Sequence, residues 1–523
     1  MLQPVNPDEE LIAARLLEFF SAATPWHRGL WNPGLALTLK ELLEASLAVR
    51  SSVLHDDTLK VLGSTCLRLS GLDPGAGSEA RVQALHQCLR SPLRYEGLDY
   101  YSLRDLANEI EAQYLQRWAD ALRRTAGRPK AERAARSMAA HLLDLGFSPG
   151  FLHRWWKFRL EYEGQSKSLA DMVEEAHTMA RRRHQAYEAL IVLLSSPRSK
   201  SGYPPDWLNS SMISQWLKSH SFGTSDLRPA GGLKLAVVAP DAEAAAELAG
   251  ERVDSLLARA AVATGEKIDV VQKVWIAGEK KPFSMVRRLR GVRVRALYRE
   301  DRIYPMATPD GIFGAAIELL SNLESSSPSA AVAGGWAAIE ALLSEADDRG
   351  GAAERLAALV ACSFPRAELT VLSYLLEKAE PSLAGAFAAC GENRDRARLV
   401  ARAIRSPGGP TLKASSDRAA LERMNKLLRQ PRKTLEDIKL YAADAFTRLY
   451  RQRNLVLHWG KTDAVALRAS LRTAAPLVGA GMDRIAHGWY VNHLRPIELA
   501  ARARVGLSTI PDDDIDACIS LLD

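Results

Sequence analysis

The apolar periodicity of this chain changes twice, and those two changes constrain its architecture more than any other feature. From Pro7 to about Phe222, apolar residues recur at three- and four-residue spacing, as in LIAARLLEFF and LRDLANEIEAQYLQRWADALRRT. That period predicts an all-helical N-terminal domain over residues 1–225. Between about Leu227 and Pro305 short β-branched runs take over, LKLAVVAP, DVVQKVWIAG and GVRVRALYRE, with one long helix, AEAAAELAGERVDSLLARAAVA, after the first. Residues 226–306 therefore read as a small α/β module. From about Thr308 the helical period returns, and five or more helices are expected to form a bundle over residues 307–523. The expected fold class is mainly α: a helical N-terminal region, a small α/β middle module and a C-terminal helical bundle.

A length of 523 residues suits such a division, since roughly three domains is the ordinary expectation for that size. No run of eighteen or more apolar residues occurs, and the first residues are acidic where a signal peptide is basic. The expectation is a cytoplasmic protein without a membrane segment. Five widely separated cysteines never form a C-x-x-C pair and read as reduced, mostly buried thiols. A net charge of +7 favours approach to a polyanion only mildly.

Several chemistries lack their residues. No G-x-G-x-x-G follows the first strand of the α/β module, and neither G-x-S-x-G nor H-E-x-x-H occurs. Gly460-Lys461-Thr462 is no phosphate loop, because Leu455 stands where the required first glycine would be. The run Pro511 to Asp516 reads as the start of a last short helix rather than as a cation site.

One segment carries chemistry. Thr434 is expected to cap a helix with Glu436 and Asp437 in its first turn and an apolar stripe of Ile438, Tyr441, Ala445 and Leu449. Near its far end stands RLYRQRNLVLHWGK, in which Tyr450, Asn454 and His458 recur every fourth position and so share a helix face. Arg453 lies one step round with the reach to join them. A guanidinium and an amide can hold a phosphate and its developing charge, while an imidazole that titrates near neutrality can move the proton of a ribose 2′-hydroxyl. Such a scheme requires no metal. Arg448, Arg451 and Lys461 would add attraction for an RNA backbone that is independent of sequence.

This Arg-Asn-x-x-x-His string, late in a helical bundle, resembles the motif of the HEPN superfamily, particularly its Apea-like defence members, over roughly residues 308–510. The segment from Trp336 to Leu343, with Glu340 inside it, resembles the tryptophan-and-glutamate early helix of those families. The resemblance implies a homodimer in which two motifs face one another and form a single endoribonuclease site, without metal or cofactor. His458 would be the acid/base, Arg453 and Asn454 would bind phosphate, and Glu340 and Tyr450 would support them. Products would be a 2′,3′-cyclic phosphate and a 5′-hydroxyl. By resemblance the role is antiphage or toxin-like, with the N-terminal region a place for a regulatory protein or signal.

Blander readings stand beside these. Arginine and histidine five positions apart occur at least four times, and only Arg453/His458 has asparagine directly after the arginine. The pair can be a solvated arginine and a satisfied histidine at a helix end, where cations favour the dipole. The alternative function is a non-catalytic dimeric scaffold that binds nucleic acid or protein. In the N-terminal half, His153 to Arg159 (HRWWKFR) interleaves basic and aromatic residues, yet core packing of Trp155 and Phe158 with a snorkelling Arg159 is the favoured reading. The basic run Lys280-Lys281 and Arg287 to Arg290 reads as a solvated hairpin before a phosphate contact.

Overall fold

The computed structural model describes residues 7–523 apart from 125–126, 164–166, 183, 197–201, 224–227, 286–288, 305–310, 346–347, 349–350, 513 and 523. The fold is mainly α: 68% helical, with 21 helices and one five-stranded antiparallel sheet among the described residues. The chain divides into two compact units, Leu142–Leu289 and a second unit made from Met1–His141 together with Arg290–Asp523. Three successive domains were expected. Instead the N-terminal helices and the C-terminal bundle form one unit, and the α/β unit begins well before residue 226.

In the unit Leu142–Leu289 the sheet comprises β1 (Gln185–Leu193), β2 (Trp207–Leu208), β3 (Gly231–Ala239), β4 (Val270–Ile276) and β5 (Phe283–Ser284), in the order β2-β3-β1-β4-β5. β1 and β2 both fall inside the stretch expected to be all helical. β1 is the central strand, antiparallel to β3 from Gln185↔Ala239 to Leu193↔Gly231 and to β4 on its other side. Ala189, Ile191 and Leu193 pack on one face with Ala245, Ala249 and Val253 of the helix Ala242–Thr264. Leu190 and Val192 face the other way, against Ile213, Trp216 and Leu217 of the helix Ser210–Ser219. A strand covered on both faces loses the polar alternation that marks a strand.

The third expected strand, GVRVRALYRE, is not one. It belongs to the other unit and contains only the short helix Ala296–Arg299. Arg290, the end of the basic run, donates to the carbonyls of Leu323 (2.9 Å) and Ser326 (2.8 Å) and so caps a helix end; Arg287 and Arg288 lie outside the described residues. In HRWWKFR the fully buried ring is Trp156, whereas Trp155 is half-buried under the Arg159 guanidinium at 3.7 Å and Phe158 is exposed. Core packing therefore holds for the neighbour of the residue to which it was assigned.

The second unit is built around the helix Ala352–Ala379, whose apolar faces are covered by the helices Asn393–Arg405, Pro431–Trp459, Leu467–Tyr490 and Pro496–Thr509. This helix is long and apolar enough to cross a bilayer, and 72% of that apolar window is buried inside the protein. The helices Gly311–Ser325 and Pro328–Leu343 pair closely because Gly334 offers no side chain: a Cβ there would sit 2.7 Å from the Leu319 carbonyl oxygen. Cys66, Cys88, Cys362 and Cys518 are buried, Cys390 is half-buried, and all five are free thiols.

Buried ion pairs join the two ends of the chain. Arg28 Nε donates to Glu368 (2.7 Å) and its Nη1 to Asp417 (2.8 Å), while Arg423 donates to the second oxygen of Glu368 at 3.3 Å. Arg68, partly exposed, bonds Asp444 of the helix Pro431–Trp459 nearer the surface. Removing one member of a buried pair leaves an uncompensated charge inside, so the N-terminal helices and the bundle are bound to one another by more than apolar contact.

Candidate active site

The helix Pro431–Trp459 carries the motif. It starts at Pro431, whose missing N–H falls where a helix has no partner for one. Thr434, the expected cap, is already inside, with its amide bonded to the Gln430 carbonyl at 3.0 Å. At the other end Gly460 takes the left-handed conformation (φ 68°), and the amides of Gly460 and Lys461 bond back to the carbonyls of Val456 and Leu455. This termination leaves His458 one residue before the last helical position and exposed.

The motif residues come together. Arg453 Nη1 donates to Asn454 Oδ1 at 2.9 Å and to His458 Nε2 at 3.2 Å. Its Nη2 stands 4.0 Å from Glu340 Oε2, on the helix Pro328–Leu343. A guanidinium only donates, so Nε2 accepts and the proton of the neutral imidazole is assigned to Nδ1. Asn454 is buried, Arg453 keeps a quarter of its side chain exposed, and His458 faces solvent. Tyr450 lies against Trp336 with ring centroids 4.8 Å apart, which anchors the motif helix on the helix that bears Glu340.

Two residues expected to attract RNA do something else. Arg448 is 1% exposed and Arg451 5% exposed, and both donate to one carboxylate, Glu41 of the helix Leu35–Arg50: Arg448 Nε at 2.8 Å, Arg451 Nε at 3.2 Å and Arg451 Nη2 at 3.0 Å. Burial alone would raise the Glu41 carboxyl, but the two guanidinium charges outweigh it and hold it below the ordinary range; burial lowers Arg451. Buried guanidinium groups with a partner cannot reach a phosphate, so the assignment of Arg448 and Arg451 to RNA binding is corrected. Lys461 stays partly exposed, 3.4 Å from Glu44 and 3.8 Å from Asp463, with its ammonium 5.4 Å from the Trp459 ring centre. Its charge is largely answered within the chain.

Glu41 and Glu44 were not foreseen. The signal was present in LALTLKELLEASLAVR: two acids, three apart, on a helix whose surrounding residues are apolar. An acid on a buried stripe demands a cation, though not one that a reader can locate four hundred positions away. Among the described residues no three His, Cys, Asp or Glu side chains gather as a group able to hold a metal ion. At the final short helix Ile515–Ile519, Asp514 accepts from the amides of Asp516 and Ala517, the helix-start reading; Asp513 lies outside the described residues. Comparison with family models, curated proteins and solved structures found no match to this chain.

Proposed function

We propose that this chain is a metal-independent RNA endonuclease of the HEPN type, with His458 as acid/base and Arg453 and Asn454 as phosphate ligands. One observation carries the reading: the Arg453 guanidinium bridges Asn454 and His458 at the open end of a helix, with Glu340 behind it. A neutral imidazole takes the 2′-hydroxyl proton, the 2′-oxygen attacks phosphorus, and the bond to the 5′-oxygen breaks. Arg453 and Asn454 stabilise the charge that grows on the phosphoryl oxygens. The leaving 5′-oxygen needs a proton from the side opposite the attack. A second imidazole, protonated and placed there by a second copy of the chain, would supply it and become neutral as the first becomes charged, which is the chemical reason for a homodimer. The role in defence or as a toxin rests on the resemblance.

A second reading, a non-catalytic dimeric scaffold, is favoured by one observation: Arg448 and Arg451 are held by Glu41, which thins the basic surface around the motif. Incubating the purified chain and its His458→Ala variant with mixed cellular RNA in EDTA separates the two. The nuclease reading expects wild type alone to cut; intact RNA in both supports the scaffold, and equal cutting removes His458 from the chemistry.

A further inference from the structure

The unit Leu142–Leu289 contains a cavity of about 260 Å³ beside the first turns of the helices Pro149–Phe158 and Ala242–Thr264. Its walls include Phe147 and Phe151, stacked with ring centroids 5.9 Å apart, together with Tyr187 and Phe283. Most of its charges are already occupied. Asp241 is buried and accepts from the Ala244 amide (2.9 Å) and from Ser148 through both its amide (2.8 Å) and its hydroxyl (2.9 Å), so one carboxylate covers the positive ends of both helices. Glu243 is bonded by Arg154 at 2.9 Å. Two lining charges remain that make no ion pair among the described residues, Arg182 and Glu279, both exposed and of opposite sign.

We propose that this cavity binds a free aromatic α-amino acid as a zwitterion, its carboxylate on Arg182, its ammonium on Glu279 and its ring against the phenylalanine pair. One cation and one anion without an ion pair among the described residues match a ligand of zero net charge that carries both signs. A phosphorylated ligand would bring about two negative charges to a cavity whose one cation without an ion pair among the described residues is Arg182, and would leave Glu279 unmatched. The volume lies below the roughly 300–1,000 Å³ of pockets that take drug-sized molecules, which sets the scale at a small metabolite. Rings stacked on rings add affinity that an aliphatic side chain does not obtain.

Calorimetric titration of the full chain tests this with L-phenylalanine and L-tryptophan, with L-phenylalaninamide, which lacks the carboxylate, and with 3-phenylpropionate, which lacks the ammonium. Loss of either charged contact is expected to weaken binding by up to about fivefold, the worth of an ion pair whose protein side chain is exposed. Arg182→Gln should weaken L-phenylalanine and leave the amide unchanged. Glu279→Gln should weaken L-phenylalanine and leave 3-phenylpropionate unchanged. Both side chains are exposed, so the variants keep the fold, and an unchanged far-UV circular dichroism spectrum verifies it. No heat with either amino acid at millimolar concentration, equal affinity for all these compounds, or L-leucine binding as tightly as L-phenylalanine would each overturn the proposal.

Discussion

Glu41 holds two guanidinium groups of the motif helix with one carboxylate inside the protein, and its effect on the site is through position. Glu41→Ala would leave Arg448 and Arg451 buried without their anion, and is expected to cost roughly 3–5 kcal/mol, read from the urea midpoint; a loss under about 1 kcal/mol would match a surface pair instead. At Arg453 geometry counts beyond charge. Arg453→Lys keeps the cation but cannot bridge Asn454 and His458 together, and under the proposed nuclease function RNA cleavage should fall by on the order of 10²-fold with the melting temperature little changed. His27 is 4% exposed, and burial, followed by the nearby Arg28, Arg423 and Arg295 charges, lowers it to about 4, with Glu368 acting the other way. The folded pKa lies below the unfolded one. The stability from keeping His27 neutral is therefore complete above pH 6.5 and lost as pH falls toward 4. In that window stability should change by up to about 1.4 kcal/mol per pH unit from this group, a slope that His27→Leu removes. An unchanged slope in the variant would place the acid sensitivity elsewhere.

The motif helix is bounded by Pro431 and by Gly460, and its C-terminal boundary sets where His458 stands. Gly460→Ala puts a β-carbon on a residue with φ of 68° and should destabilise by about 1 kcal/mol, seen as a lower thermal midpoint. At this scale much was legible in the residues. The helix Ala242–Thr264, β3 and β4 lie where the β-branched runs and the alanine-rich stretch put them. The helix that carries Arg453, Asn454 and His458 was also legible, because helical spacing is a local property, and Arg453 has the reach to join the other two. β1 was not, since Ala189 to Leu193 are buried on both faces and show the unbroken apolar run of a core helix. Thr434 was misplaced by one turn because Pro431 is an equally good opening residue and lies closer to the preceding helix.

Across the whole molecule, the unit that holds the motif is assembled from the two ends of the chain. No local pattern announces such a union: Glu41 with Arg448, and Arg28 with Glu368, are pairs across hundreds of residues. The same fact makes a prediction about fragments. A piece comprising residues 307–523 lacks Glu41 and Arg28 and exposes the faces that the N-terminal helices cover, so it should show no cooperative thermal transition. A piece comprising Leu142–Leu289 contains both apolar layers around its sheet and should unfold cooperatively alone. Circular dichroism melts of the two pieces decide it, and a sharp transition in residues 307–523 would mean that the bundle is an independent domain after all.

The ends left on cut RNA report directly the chemistry proposed for His458. RNA cut by the wild-type chain in EDTA should carry 2′,3′-cyclic phosphate and 5′-hydroxyl ends, with no such ends formed by His458→Ala. Fragments with 3′-hydroxyl and 5′-phosphate ends, or the same fragments from the variant, would rule out attack by the 2′-hydroxyl with His458 as its base.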